Sequence, residues 1–559
     1  MDQYNDHETK KVDDNIGEGE CFYSDHSRSM QKACSYCVDV FNQLIEQQSN
    51  ISSSSSSSLS SWLLDLSGTN NVVRSKSNNH RDRRNDAARK FWSDIDTLDS
   101  ESKPAVFERL VAKLVHINGD DNDDIDADNI VIDRKQVRSF QENYQDLNVP
   151  CLITGLDHSS HFNFVNQNWR NTNHNSSDSK INRNWFLQEF GNSFIVPLRY
   201  THQNAINNND TELDKDGRAR ESQTLEVSMK EWLQLLEQKT LPLEDQSHSS
   251  INNTLEQVST EETVRSKSIT YYLKDWHLQQ IHTLSNKGNG NRSLYSCPDF
   301  FGGDLLNPFL KKFTTGDYRF CYWGPTGSYT SQHSDVLHSF SWSYNVVGSK
   351  EWKFYQSNTS IDDDDNNDNR NSNDIKDQNS TINNNNRKKT FTVQQSTGEI
   401  MFVPATWQHQ VVNTEESISI NHNWITPSSL DLTWDCLRVE MRAVQKELGD
   451  WTQNENLDQN MEACENMLRG CIGLDVTAFI MMTLVRVLDI ITELLLQSNE
   501  HQERLIFDLF RLTTVLRKVF TEELDLVQLR KRLKAVLQID HMVEKVEMIT
   551  MCVIKSFLP

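Results

Sequence analysis

Between Asn148 and Trp424 the chain repeatedly sets apolar against polar positions in short runs closed by glycine or proline. Successive side chains of a strand point to opposite faces, so this period-two pattern predicts strands. The runs are Asn148–Gly155, Ile269–Trp276, Asp317–Trp323, Phe340–Val347, Glu351–Tyr355, Phe391–Val393, Ile400–Val403, His409–Val412 and Ile418–Trp424. Turns are expected at Gly324-Pro-Thr-Gly327, Gly348 and Gly398-Glu399. Many short strands with such punctuation suggest a small barrel or jelly roll.

Helical spacing frames this region. Phe91, Trp92, Ile95 and Leu98, then Phe107, Leu110 and Leu114, predict helices between Ala87 and His116, and short helices are expected at Trp185–Phe190 and Met229–Leu236. After Pro427 the period changes outright: Leu430, Trp434, Leu437, Met441, Val444 and Leu448 form one stripe, and further helices follow around 458–470, 474–497, 500–518, 521–538 and 540–557. The run Leu474–Leu496 is interrupted by Asp475, Arg486, Asp489 and Glu493, which predicts a packed helix and not a membrane span. The expected domains are therefore a mostly disordered 1–86 with a short helix at Val38–Ile45, an α+β domain over 87–426, and a helical module over 427–559.

Composition sharpens this division. Only 36% of the 559 residues are hydrophobic, and the Ser52–Ser58 run and inserts at about 202–216, 238–266 and 357–389 are too polar to offset chain entropy by burial. The last insert falls inside the strand region and must loop out of one connection, at a cost that grows slowly with length. Net charge is -24 with no basic stripe, which disfavours direct nucleic-acid binding. The ten cysteines are scattered without a disulfide rhythm, and the N-terminus has no basic and apolar leader. Both observations suit the cytoplasm and leave nuclear entry open. Cys34-Ser-Tyr-Cys37, with Cys21 and His26, is a weak half-site for zinc in polar surroundings. Gly119–Asp128 holds six Asp but lacks the glycine and closing Glu of a calcium loop, so a solvated loop is the better reading.

The chemistry concentrates in Thr330-Ser-Gln-His333-Ser-Asp335 and Trp407-Gln-His409. On an extended chain His333 and Asp335 project to one side, and His409, 76 positions later, supplies a second imidazole from another strand. Two His and one carboxylate on one face of a metal leave open positions, the signature of non-haem Fe(II) oxygenases. The bland alternative is a hydrogen-bonded surface pair.

Several uncommon strings occur in order: Tyr272-Leu-Lys-Asp-Trp-His277, Asp317-Tyr-Arg-Phe320, Gly324-Pro-Thr-Gly-Ser328, His333-Ser-Asp335, Ser339-Phe-Ser-Trp-Ser343, Asn345-Val-Val-Gly348, Lys350 with Trp352, Phe402-Val-Pro404, Trp407-Gln-His409 and Ser419-Ile-Asn-His-Asn-Trp424. On these the chain, over about 148–450, resembles the JmjC branch of the 2-oxoglutarate-dependent oxygenases. Within it, the nearest resemblance is to lysyl hydroxylases of the translation termination release factor. The resemblance implies a double-stranded β-helix, with Fe(II) on His333, Asp335 and His409 and with 2-oxoglutarate and O₂ as co-substrates. It also implies that Lys350, 17 residues after His333, binds the far carboxylate of 2-oxoglutarate. Thr330 and Asn421 correspond to further cofactor contacts, Asn423 lies nearby, and either Tyr318 or Tyr322 is available to add a phenol. Ser343 departs from relatives that carry Asn there. His338 and His422 stand between core and pocket lining, and Trp342, Trp352 and Trp424 read as core.

The implied activity is hydroxylation of a protein side chain, with the release factor as partner. Two rivals remain: an N-methyl-lysine or N-methyl-arginine demethylase using the same centre, and a non-catalytic adaptor. Neither membrane binding nor an oligomeric state is indicated.

Overall fold

The computed structural model describes residues 18–51, 79–96, 109–111, 114–116, 130–157, 159–171, 180–202, 223–238, 269–285, 293–314, 316–356, 389–448, 457–496, 502–523, 526–537 and 540–556. The serine run, the Asp-rich stretch 119–128 and nearly all of the three expected inserts lie outside the described residues. The chain divides into two compact units, one over 80–303 and 318–424, the other over 1–79, 304–317 and 425–559.

In the first unit the strands are, in chain order, β1 (Arg109–Val111), β2 (Leu114–His116), β3 (Ile130–Ile132), β4 (Cys151–Thr154), β5 (Arg170–Asn171), β6 (Lys180–Ile181), β7 (Ile195–His202) and β8 (Gln223–Ser228). They continue as β9 (Ile269–Trp276), β10 (Arg319–Gly324), β11 (Tyr329–His333), β12 (Phe340–Val347), β13 (Lys350–Tyr355), β14 (Thr390–Gln395), β15 (Ile400–Val403), β16 (Gln408–Asn413) and β17 (Ser417–Trp424). One sheet has the order β1-β4-β15-β12-β17-β10-β9-β7-β8 and a second the order β11-β16-β13-β14. Neighbours run antiparallel except β1 against β4. Because the two ladders do not close on each other, this is an open jelly roll within an α+β fold.

Every residue of β12 and β17 is buried, since both strands are central and covered on each side. On the outer side Trp342 and Trp424 join Phe301, Phe340 and Phe402 in an aromatic core, with Phe301 stacked on Trp342 at 5.4 Å. His422, 5.1 Å from Trp342, belongs to that core. Inward, β17 presents Ser419, Asn421 and Asn423 opposite Asn345, Ser343 and Ser341 of β12, so its polar residues line an interior and not a surface.

The second unit is helical: Glu18–Ile51, Leu306–Phe313, Leu430–Glu447, Leu457–Ile472, Val476–Leu496, Gln502–Lys518, Leu526–Leu537 and Asp540–Ser556. No single described helix is long and apolar enough to cross a membrane. The first helix is much longer than the expected Val38–Ile45. Its buried Met30, Ala33, Cys34, Cys37, Phe41 and Leu44 recur every three or four positions, a stripe masked by a very polar opposite face. Cys34 and Cys37 lie in that stripe as packing groups, and burial pushes the Cys34 thiol up to about 12.

A second correction concerns the described residues 109–111 and 114–116. The expected helix there is replaced by β1 and β2, with Arg109–Val111 laid beside Leu152–Thr154 and Leu114–His116 beside Ile130–Ile132. Short apolar runs fit either period, and here strand partners decide.

Candidate active site

The four-stranded sheet assembles the site by register. His333 faces His409 across β11 and β16, and on the other flank of β16 Phe354, Trp352 and Lys350 face His409, Val411 and Asn413. Paired residues of an antiparallel ladder project to the same side, so His409, Lys350 and Thr330, which faces Val411, share the inner face. β11 ends at His333, and Asp335 lies just beyond it rather than in the strand. Its backbone stays extended (φ -62, ψ 148), so the alternation persists and its carboxylate still joins the imidazoles.

Ligand atoms of His333, Asp335 and His409 all lie within 4.8 Å of one another, and no other such cluster of His, Cys, Asp or Glu occurs among the described residues. The two imidazole rings are 4.4 Å apart, centroid to centroid. Each Nδ1 is engaged by the carbonyl two residues earlier, His333 with Ser331 at 2.8 Å and His409 with Trp407 at 3.0 Å. With Nδ1–H donating, both rings turn an unprotonated Nε2 inward, the tautomer that binds a metal. Ser341 donates to Asp335 Oδ2 at 2.6 Å and orients that carboxylate. Burial, and then the neighbouring His409, hold His333 down to about 4, so its imidazole is neutral, the form able to bind a metal. Two imidazoles and a carboxylate on one side suit Fe(II) with open positions.

The backbone is strained around this cluster. Leu337 (φ 57), His338 (φ 47) and Thr406 (φ 68) are left-handed without being glycine, and they flank Asp335 and Trp407. Such outliers persist where surrounding structure enforces them, commonly at functional sites.

Lys350 is 1% exposed and reaches from the small sheet to the large one, where its Nζ donates to Ser419 Oγ at 2.6 Å. Burial lowers its pKa to about 7, because a hydroxyl cannot replace the hydration of an ammonium. A carboxylate can, so the pocket fits a dianionic co-substrate such as 2-oxoglutarate. Asn421 donates to the same Ser419 hydroxyl at 3.1 Å, and the Tyr272 hydroxyl bonds Thr330 and Asn413. Lys350, Thr330 and Asn421 thus line the interior that carries His333, Asp335 and His409. The Ser343 hydroxyl, opposite Asn421, is buried without a partner among the described residues.

Sequence reading missed Ser341, Ser419, Tyr272, Lys274 and Asp275 as site residues. The alternation Tyr272-x-Lys274 on β9, and Ser419-x-Asn421-x-Asn423 on β17, was the available signal. Of the two tyrosines left open, Tyr322 faces Ser419 across the ladder, and its hydroxyl donates to Asp275 at 3.0 Å. Trp352 lies 5.5 Å from His409 and packs behind it.

An open jelly roll carrying two His and one carboxylate inside is a cupin-like fold with a candidate metal site. Within it, residues 320–424 match the family model described as JmjC domain, hydroxylase, and the chain carries a JmjC domain. The chain is 35% identical over 212 residues to the 2-oxoglutarate and iron-dependent oxygenase JMJD4 of Danio rerio, covering 37% of this chain and 48% of that protein. It is 32% identical over 212 residues to JMJD4 of Homo sapiens (37% and 49%) and 29% identical over 248 residues to the arginine-specific demethylase JMJ20 of Arabidopsis thaliana (41% and 51%). The chain spans about half the length of these relatives.

Proposed function

We propose that the protein is an Fe(II)- and 2-oxoglutarate-dependent dioxygenase that hydroxylates a protein side chain. The target we favour is a lysine carbon in the translation termination release factor, modified in the cytoplasm. The observation that carries the oxygenase reading is the facial cluster of His333, Asp335 and His409 in one interior with an ammonium, that of Lys350, that has no carboxylate partner among the described residues. An adaptor has no use for either. Similarity to JMJD4 oxygenases supports the class; the scattered cysteines support the compartment.

In this reading His333, Asp335 and His409 hold the iron, and Lys350, with Ser419, Thr330 and Asn421 around it, anchors the far carboxylate of 2-oxoglutarate. Bound together, iron and 2-oxoglutarate activate O₂ for attack on a C–H bond. The protein orients both, and Trp352 and Phe354, the latter backed by Trp407, pack against the buried His409 imidazole.

Demethylation is the second reading, favoured by the likeness to an arginine-specific demethylase. Release-factor peptides, methylated and unmethylated, separate the two. A peptide gaining one oxygen supports hydroxylation, and formaldehyde release supports demethylation. Wild type that forms no Fe(II)-dependent succinate refutes the oxygenase reading altogether, and succinate formation that survives His333→Ala refutes His333 as a ligand.

A further inference from the structure

β9 places a second lysine in the same interior. Tyr272 and Lys274 are two residues apart on a strand and point to one side, and that side is the pocket, because Tyr272 bonds Thr330 and Asn413. Lys274 Nζ lies 5.8 Å from the ring centroid of Tyr322, another inward residue. Its ammonium has no hydrogen bond and no ion pair to any described residue. Asp275, the next residue, is held at φ 59 and committed elsewhere, to the Tyr322 hydroxyl at 3.0 Å and Arg199 at 3.5 Å. Enclosure lowers the Lys274 pKa, partly offset by the charge of Asp275 and of the metal ligand Asp335. The Lys274 charge acts on His333 and is acted on by Asp335, whereas the Lys350 ammonium donates to Ser419 of β17.

We propose that Lys274 binds the metal-end carboxylate of the 2-oxo acid, so that the co-substrate is gripped by one lysine at each end. The inference rests on the 2-oxoglutarate reading of the pocket. An unpartnered ammonium beside the metal ligands is suited to a carboxylate oxygen left over when the acid chelates the ion. The rival role is a bystander charge that merely offsets Asp335.

The test is a calorimetric titration of full-length, Mn(II)-loaded protein without turnover, using two probes. 2-Oxoglutarate has both carboxylates, whereas 2-oxopentanoate has only the oxo-acid end. Lys274→Met is expected to weaken both probes by a similar factor, between roughly 10- and 100-fold, the worth of a charge-assisted hydrogen bond. Lys274→Gln, which keeps a neutral donor, should fall between it and wild type. Lys350→Met should instead erase the preference for 2-oxoglutarate over 2-oxopentanoate. Binding of both probes by Lys274→Met within twofold of wild type overturns the inference. So does a parallel fall in Mn(II) affinity, which makes Lys274 a support of the metal ligands. If wild type binds neither acid, the 2-oxo acid reading itself falls and takes the inference with it.

Discussion

In the proposed reading, the single residue Lys350 trades stability for binding. Its folded pKa of about 7 lies below the roughly 10.4 of an unfolded lysine. Below pH 7 it is protonated in both states, and folding bears the full cost of burying the ammonium. Between about pH 7 and 10.4 the folded protein sheds this proton while the unfolded chain keeps it, so stability rises with pH through that window. We expect Lys350→Met to remove this slope and, without co-substrate, to stabilise the protein at pH 7 by a few kcal/mol. The same change should weaken 2-oxoglutarate binding to the level of 2-oxopentanoate. Urea unfolding across pH, compared with wild type, checks the first; titration of the metal-loaded protein checks the second. A dianion needs the ammonium, so binding by wild type at pH 8 should also take up a proton, visible as buffer-dependent calorimetric heat.

Between residues and the whole chain, the turns and helices that hold the site differ in how plainly the sequence announces them. The runs from Ile269 to Trp424 were legible because alternation and glycine turns agree there, and Ile269–Trp276, Phe340–Val347 and Ile400–Val403 form strands with those bounds. Gly348 is one such turn: at φ +92, an added Cβ would meet the Glu416 carbonyl oxygen at 2.3 Å and Ser417 Oγ at 2.4 Å. Gly348→Ala should therefore cost roughly 2–4 kcal/mol, read as a lower urea midpoint at unchanged slope, and should disturb Lys350 two residues on. The long first helix and β1 were not legible, because a stripe under a polar face and a short run with a distant partner leave little local trace. His80–Asp96 is intermediate. Its Trp92 was read as helical, yet its purpose emerges only in space, where it stacks on Trp407 at 5.6 Å and 17°. Trp407 offers the carbonyl that orients His409. Trp92→Ala should cost about 3–5 kcal/mol and weaken metal binding, with Trp92→Phe recovering most of both, measured by thermal unfolding and Mn(II) titration.

For the whole molecule, the question is how a site made from distant stretches of chain survives a polar insert in its midst. His333 and His409 lie on either side of 357–388, yet the strands that the insert separates are in register throughout, Lys350 with Gln395 to Tyr355 with Thr390. Just past that ladder, Gln356 N–H donates to the Lys389 carbonyl at 2.9 Å, so the two ends of the insert are already hydrogen-bonded neighbours. A hairpin closed in this way does not depend on what connects it, because closure entropy varies only with the logarithm of length. Replacing 357–388 by a four-residue turn should therefore preserve Mn(II) and 2-oxoglutarate affinity and raise stability by roughly 2 kcal/mol. Calorimetry and urea unfolding of the shortened chain decide it. Lost metal affinity would mean that the insert, and not the β13–β14 ladder alone, holds the small sheet against the large one.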